Sequence, residues 1–154
     1  MSELEGKPVP AFDMPTADGD RVSGGALKGQ PYVLYFYPKA DTPGCTTEGK
    51  DFSALMDDFA AAGARVIGVS KDTVRKLSNF KAKHDLTVTL ASDEDESVCE
   101  AFGTWVEKSM YGRTYMGIER ATFLIDAAGV IRGHWPKVKV KGHAEAVLEA
   151  VRRL

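Results

Sequence analysis

Apolar and polar residues fall into alternating blocks along the chain, and the apolar blocks predict strands. Short runs rich in β-branched and aromatic residues are typical of strands in a buried sheet. Five such runs occur, namely YVLYFY (32–37), RVIGVS (65–70), TVTLAS (87–92), RATFLID (120–126) and VIRGHW (130–135). The last two flank a short turn that contains Gly129, so we expect them to form a β-hairpin.

Between these runs, apolar residues recur at helical spacing. Phe52, Leu55, Met56 and Phe59 form one stripe, and Gly63 follows as a helix-terminating residue. Three more helices are predicted: one after a cap at Asp72 or Thr73 with Val74, Leu77 and Phe80, a short one in DESVCEAFGTW ending at Gly103, and a C-terminal one with Ala144, Val147, Leu148, Val151 and Leu154.

This order of elements predicts the fold class. Strands that alternate with helices and then close with a hairpin and a helix indicate an α/β protein with a mixed central sheet flanked by helices. The order suits a thioredoxin-like core with an N-terminal extension. At 154 residues the chain is long enough for one domain, and we expect residues 1–154 to form it.

The charge balance excludes several partners. Lysine and arginine number 20 against 22 for aspartate and glutamate, a formal net charge of -2. A chain-wide positive field for nucleic acid or an anionic membrane is therefore absent. The N-terminal MSELEGKPVPAFDMP is acidic and interrupted by prolines, unlike a signal peptide or a membrane anchor. We expect a cytoplasmic protein that binds neither nucleic acid nor membrane.

Cys45 follows the first predicted strand at the start of a helix. Thr42 is a suitable N-cap, Pro43 fits the first helical position, and Gly44 allows close approach to the backbone. Sites of open α/β sheets form at this edge, beyond the carboxyl ends of strands. The helix N-terminus favours a thiolate at Cys45.

The helix terminus alone is too weak to ionise a thiol. A free thiol titrates near pKa 8.5, and lowering that to about 6 requires roughly 3.4 kcal/mol. A helix terminus supplies about 0.3–1 kcal/mol and at best about 2 kcal/mol. A hydrogen-bond donor such as Thr42 or a fixed cation must add to it. Spacing does not select among the eight arginines, although Arg120 stands out because it opens an apolar strand.

The segment FYPKADTPGCTTE resembles the active-site segment of peroxiredoxins, in which a proline, a threonine and a cysteine recur at fixed spacing. Those residues are Pro38, Thr42 and Cys45. The flanking sequence is similar to the bacterioferritin-comigratory-protein type, also called Q type. The similarity extends through GKPVPAFDMPTADG, LASDEDESVCEAFGTW and EKSMYGRTYMGIERATFLID, and so covers nearly the whole chain.

The resemblance implies a thiol peroxidase that needs no metal or cofactor. Cys45 would attack a hydroperoxide and become a sulfenic acid, with Gly44 and Cys45 N–H groups lining the substrate pocket. Thr42 would hydrogen-bond the sulfur and the peroxide, and Pro38 would shield the sulfenate. Arg120 would stabilise the thiolate and the leaving oxygen. Glu48 falls in the same pattern and equally suits the first turn of a helix.

The reduction step is open because many relatives carry a second, resolving cysteine that this chain lacks. One of its usual positions is Lys50, and the other region, 80–84, contains no cysteine. Cys99 either forms a disulfide with Cys45 that thioredoxin reduces, or it packs in the core while an external thiol reduces the sulfenic acid. We favour the second, one-Cys reading because free cysteine is among the most buried residues. Thioredoxin, glutaredoxin and small thiols are the candidate reductants, and relatives of this type suggest a monomer.

Three further expectations concern an alternative function and two surface segments. Without peroxide turnover, the chain would be a chaperone-like holdase or a thiol-redox interaction protein that uses exposed apolar surface. Lysines alternate in PKVKVK (136–141), which predicts an extended segment that protects a sheet edge. Trp105, Tyr111 and Tyr115 are expected to pack against the sheet, with one of them contributing to a pocket mouth.

Overall fold

Nine strands and six helices make up the described part of the chain, residues 3–154 of a computed structural model. The strands are β1 (Asp13–Pro15), β2 (Arg21–Ser23), β3 (Tyr32–Phe36), β4 (Arg65–Ser70), β5 (Thr89–Ser92), β6 (Trp105–Met110), β7 (Arg113–Ile118), β8 (Ala121–Ile125) and β9 (Ile131–Trp135). The helices are α1 (Gly24–Leu27), α2 (Pro43–Ala54), α3 (Met56–Ala61), α4 (Val74–Lys83), α5 (Ser97–Ala101) and α6 (His143–Arg152).

The central sheet has five strands in the order β5-β4-β3-β8-β9. Strand β3 pairs in parallel with β4 and antiparallel with β8, so the sheet is mixed as predicted. Two small hairpins stand apart from it, β1–β2 near the N-terminus and β6–β7 between α5 and β8. The thioredoxin-like α/β fold with an N-terminal extension is therefore confirmed.

The central strand β3 separates two hydrophobic clusters because successive side chains of a strand point to opposite faces. Tyr32, Leu34 and Phe36 belong to the cluster that also contains residues of α1, α5 and the N-terminal segment. Val33 and Tyr35 belong to the cluster that also contains residues of α2, α3, α4 and α6. All five side chains are buried, as a strand covered on both faces requires.

The predicted stripe from Phe52 to Phe59 proves to span two helices. Helix α2 ends at Ala54, and the backbone of Leu55 (φ -102°, ψ 7°) interrupts the helix before α3 begins. Phe52 and Phe59 are both fully buried, so the two short helices keep the apolar face that the spacing indicated. Gly63 follows with φ 82°, a conformation that glycine adopts without strain.

Two expectations for the C-terminal half are wrong. The segment 136–141 forms no strand, and Lys137 within it adopts a left-handed backbone conformation with φ 48°. Its three lysines are exposed, and Val138 and Val140 between them are half-buried. The lysines therefore line an irregular segment rather than the edge of a sheet. Residues 105–118 form the β6–β7 hairpin, which leaves Tyr111 and Tyr115 97% and 45% exposed.

Only Trp105 of the three aromatics packs as expected, against the cluster that contains Phe36. Within residues 3–154, every helix is too short or too polar to pass through a lipid bilayer.

Candidate active site

Cys45 lies in the first turn of α2, beyond the carboxyl end of β3. The helix begins at Pro43 with Thr42 as its N-cap residue, because proline needs no N–H partner at the first helical position. The Cys45 side chain is only 2% exposed and belongs to the same hydrophobic cluster as Tyr35 and Phe52. The sequence therefore holds this thiol at a positive helix end and away from bulk water.

Arg120 supplies the fixed cation that is needed in addition to the helix terminus. It directly precedes β8, and because β8 pairs with β3, its guanidinium reaches the start of α2. Nη2 of Arg120 donates to Sγ of Cys45 at 3.3 Å. A methyl group added at Gly44 would lie 3.1 Å from Nη2, so glycine at this position leaves the guanidinium room to approach.

Glu48 holds the other side of the same guanidinium. One turn after Cys45, its Oε1 accepts a hydrogen bond from Nη1 of Arg120 at 2.6 Å. The Glu48 side chain is 1% exposed, and its Oε2 has no hydrogen-bond partner among residues 3–154. Arg120 thus bridges a buried carboxyl group and a buried thiol, which makes Glu48 part of the site rather than an ordinary first-turn acid.

Burial and charge oppose one another in this group. Burial raises the pKa of Glu48 from 4.5 to about 7, although Arg120 acts in the opposite direction. Burial disfavours the charge on Arg120, but Glu48 and Cys45 outweigh it, and the pKa of Arg120 is raised. The guanidinium is therefore a fixed cation, whereas the carboxyl group can gain or lose a proton near neutral pH.

Thr42 and Pro38 lie near Cys45 in sequence, but their contacts differ from those expected. The Thr42 hydroxyl makes no capping hydrogen bond and instead donates to the Lys39 carbonyl at 2.7 Å. A hydroxyl has one proton to donate, so in this arrangement Thr42 does not donate to Sγ. Pro38 is half-buried where the chain leaves β3.

Cys99 is not brought to the site. It is fully buried in α5, within the cluster on the other face of the central sheet. Its backbone N–H donates to Oδ2 of Asp93 at 2.7 Å. Burial, reinforced by the Asp93 carboxylate, raises the pKa of the Cys99 thiol well above its ordinary range. Both cysteines are free thiols.

Two further residues act on the site without an obvious sequence signal. Lys108 of β6 extends over Gly117, where a methyl group would lie 3.3 Å from its Cδ. Burial, together with the charge of Arg120, lowers the pKa of Lys108. His143 at the start of α6 is buried, hydrogen-bonds Thr122 Oγ1 at 2.7 Å, and has its pKa lowered to about 4 by burial and then by Arg120.

Comparisons with known proteins identify the family of the chain. The model of the AhpC/TSA family matches residues 6–134. Peroxiredoxin Bcp of Xanthomonas campestris is 48% identical over 147 residues, covering 94% of this chain and 92% of that protein. Peroxiredoxin Bcp of Escherichia coli is 46% identical over 140 residues, covering 91% and 90% of the two chains.

A solved structure of the Xanthomonas campestris bacterioferritin comigratory protein, studied for its alkyl peroxide reduction activity, has a TM-score of 0.88 and 46% identity. The match covers 92% of this chain and 90% of that one. The chain therefore belongs to the AhpC/TSA family and is a peroxiredoxin of the bacterioferritin-comigratory-protein or Q type.

Proposed function

We propose that this enzyme reduces hydrogen peroxide and organic hydroperoxides through Cys45, which becomes a sulfenic acid and is then reduced by an external thiol. The observation that carries the proposal is the 3.3 Å contact between Arg120 Nη2 and Cys45 Sγ at the N-terminus of α2. A cation and a helix terminus together favour the thiolate that attacks an O–O bond.

Arg120 also has a role at the oxygen that departs. As the O–O bond breaks, negative charge moves from the sulfur to the leaving oxygen, which the same guanidinium stabilises. Because Cys45 is buried, the thiolate and the peroxide would meet in a largely dry site, where such interactions are stronger than in water.

The position of Cys99 supports the one-Cys route. A disulfide requires the two Cα atoms to come within about 7 Å, with suitably directed side chains. Cys45 and Cys99 lie in hydrophobic clusters on opposite faces of the central sheet, so linking them would require α5 or α2 to leave its core. We therefore favour reduction of the sulfenic acid by a thiol from thioredoxin, glutaredoxin or a small molecule.

Stopped-flow mixing with peroxide tests this function. One equivalent of hydrogen peroxide should be consumed per Cys45, followed by turnover when the correct reductant is supplied. Thioredoxin, glutaredoxin and glutathione should be screened in parallel, and products mapped by mass spectrometry. A dominant Cys45–Cys99 disulfide would contradict the one-Cys route, and an unreactive thiol would contradict the peroxidase itself.

The single domain, the cytoplasmic location and the monomeric state remain predictions. Sedimentation of the reduced and oxidised protein checks the last of these.

A further inference from the structure

Two groups that can each carry a negative charge share one cation in the site. Arg120 contacts Cys45 Sγ at 3.3 Å through Nη2 and Glu48 Oε1 at 2.6 Å through Nη1. Both acidic side chains are almost fully buried. When Cys45 is a thiolate, a second negative charge on Glu48 would therefore lack a full counter-charge.

The second oxygen of Glu48 shows where a proton would go. Oε2 is buried and has no hydrogen-bond partner within the described residues. A buried carboxylate oxygen without a partner is costly, whereas a carboxylic acid loses less on leaving water. The raised pKa of Glu48, about 7 because of burial, agrees with this geometry.

The other charged groups around the pair do not supply a second contact to Glu48. Asp51, on the same helix, adds negative charge that further favours the protonated acid. Tyr35 and Tyr37 face the site from β3 and the residue after it, and burial raises the pKa of both well above the ordinary range, so they stay neutral. Arg120 affects the pKa of Lys108 and of His143, and neither of these residues is among the groups that shift the pKa of Glu48.

We propose that Glu48 holds the proton of the active site while Cys45 is a thiolate, and releases it to the oxygen that leaves when the O–O bond breaks. The proposal rests on the thiol peroxidase function above. It assigns to Glu48 a proton-storing role in addition to its contact with Arg120.

The step balances in atoms and charge. The thiolate attacks the terminal oxygen of the hydroperoxide, an S–O bond forms, and the O–O bond breaks. Sulfur is oxidised to the sulfenic acid, and the leaving hydroxide or alkoxide takes the Glu48 proton to become water or an alcohol. Before the step Arg120 balances the Cys45 thiolate, and after it Arg120 balances the Glu48 carboxylate. The buried site stays neutral throughout.

The pH dependence of the peroxide step gives the direct test. Stopped flow measures the peroxide rate and the iodoacetamide alkylation rate of the reduced protein between about pH 6 and 9, and their ratio removes the effect of the thiolate fraction. In the native protein this ratio should fall as the pH rises through the Glu48 pKa of about 7, because the carboxyl group then has no proton to give to the leaving oxygen. In the Glu48→Gln variant the ratio should not depend on pH.

A pair of rates separates proton storage from a merely structural role. Alkylation by iodoacetamide needs the thiolate but no proton for its leaving group. In Glu48→Gln the alkylation rate should be unchanged or higher, while the peroxide step slows by about a hundredfold, the lower end of general acid catalysis. Glu145→Gln, which removes an exposed carboxyl group on α6, is the matched control and should change neither rate.

The same pH dependence of the rate ratio in the native protein and Glu48→Gln would overturn the proposal, as would a parallel loss of both rates in a folded variant. If Glu48→Gln does not fold, the native protein alone decides, since a ratio that stays constant between about pH 6 and 9 contradicts proton storage. A native protein that forms no sulfenic acid at all would instead refute the peroxidase function.

Discussion

The two cysteines of this chain occupy similar positions in local structure but differ in the charged groups that contact them. Each is buried and lies in the first turn of a helix that follows a strand of the central sheet. Each also has a carboxyl group nearby, Glu48 for Cys45 and Asp93 for Cys99. Burial and a helix terminus are therefore common to both and do not explain the difference.

The difference is a cation in contact with the sulfur. Arg120 lies between Cys45 and Glu48 and contacts the sulfur directly, at 3.3 Å through Nη2. At Cys99 the Asp93 carboxylate acts on the thiol directly, and with burial it keeps the pKa of Cys99 high. We therefore expect a buried thiol of this protein to be inert unless a fixed positive charge contacts it.

Replacement of each cysteine in turn should have the largest effect. Cys45→Ser should abolish peroxide consumption, because the attacking thiolate is lost while serine preserves the helix. Cys99→Ser should retain at least most of the initial peroxide rate, since that thiol lies on the other face of the sheet. Peroxide consumption is followed by stopped flow, with circular dichroism as the fold control. A Cys45→Ser protein that still turned over peroxide would contradict the assignment of Cys45 as the attacking thiol.

Removing the cation should make Cys45 behave more like Cys99. In Arg120→Ala the peroxide step should slow by about 10²–10³-fold, the usual cost of losing one donor that stabilises developing charge. The pH at which iodoacetamide alkylation reaches half its limiting rate should also rise. Arg132→Ala removes an exposed arginine and is the control. An unchanged alkylation profile in Arg120→Ala would exclude Arg120 from thiolate stabilisation.

Much of this architecture was predictable because local patterns agree with the fold. The buried run at 32–37, the hairpin around Gly129 and the C-terminal helix all follow from apolar spacing and turn chemistry. Cys45 could be placed at a strand–helix junction for the same reason. The choice of Arg120, in contrast, came from resemblance, since eight arginines satisfied the chemistry.

What local patterns could not predict depends on contacts distant in sequence. Helix α2 ends at Ala54 although the apolar spacing continues without interruption. The β6–β7 hairpin exposes apolar side chains, so its hydrophobic pattern suggested a buried segment. Glu48 pairs with a residue 72 positions away, and no spacing near Glu48 indicates that pairing. Lys108 is likewise brought near the site by the hairpin alone.

Two buried groups near Cys45 should give stability an unusual pH dependence. Burial lowers the pKa of His143 from 6.5 to about 4, so the unfolded state binds more protons in that window and stability is lost as pH falls. Burial raises the pKa of Glu48 from 4.5 to about 7, so the folded state binds more protons and stability is lost as pH rises. The two effects oppose each other, and native stability should be nearly flat between about pH 5 and 6.5.

The Glu48→Gln variant should reveal the effect of His143 on the pH dependence of stability, because the opposing effect of Glu48 is removed. Its free energy of unfolding should fall by about 2 kcal/mol between pH 6.5 and 5, following about 1.4 kcal/mol for each pH unit. Urea denaturation at each pH measures this. The double variant Glu48→Gln/His143→Gln is the control and should again be flat. A single variant with flat stability would show that His143 is not held neutral.

The smallest expected effect concerns the helix that carries Cys99. Asp93 is 2% exposed, and its carboxylate accepts hydrogen bonds from the N–H groups of Val98 and Cys99 at 3.2 and 2.7 Å. Asp93→Ala should therefore cost about 1–2 kcal/mol of stability, as loss of a helix cap does. Glu94→Ala, an exposed neighbour, should cost much less by the same urea measurement.

The same variant separates the two causes of Cys99 inertness. Burial is the larger cause of its raised pKa and survives the loss of Asp93, so alkylation of Cys99 in folded Asp93→Ala should remain slow. Peroxide turnover should also be unchanged, because Cys45, Arg120 and Glu48 lie on the other side of β3. Rapid alkylation of Cys99 in the folded variant would instead mean that the carboxylate kept it inert. Removing a neighbouring negative charge would then be enough to make a buried thiol reactive. Contact with a cation would no longer explain why Cys45 and Cys99 differ in reactivity.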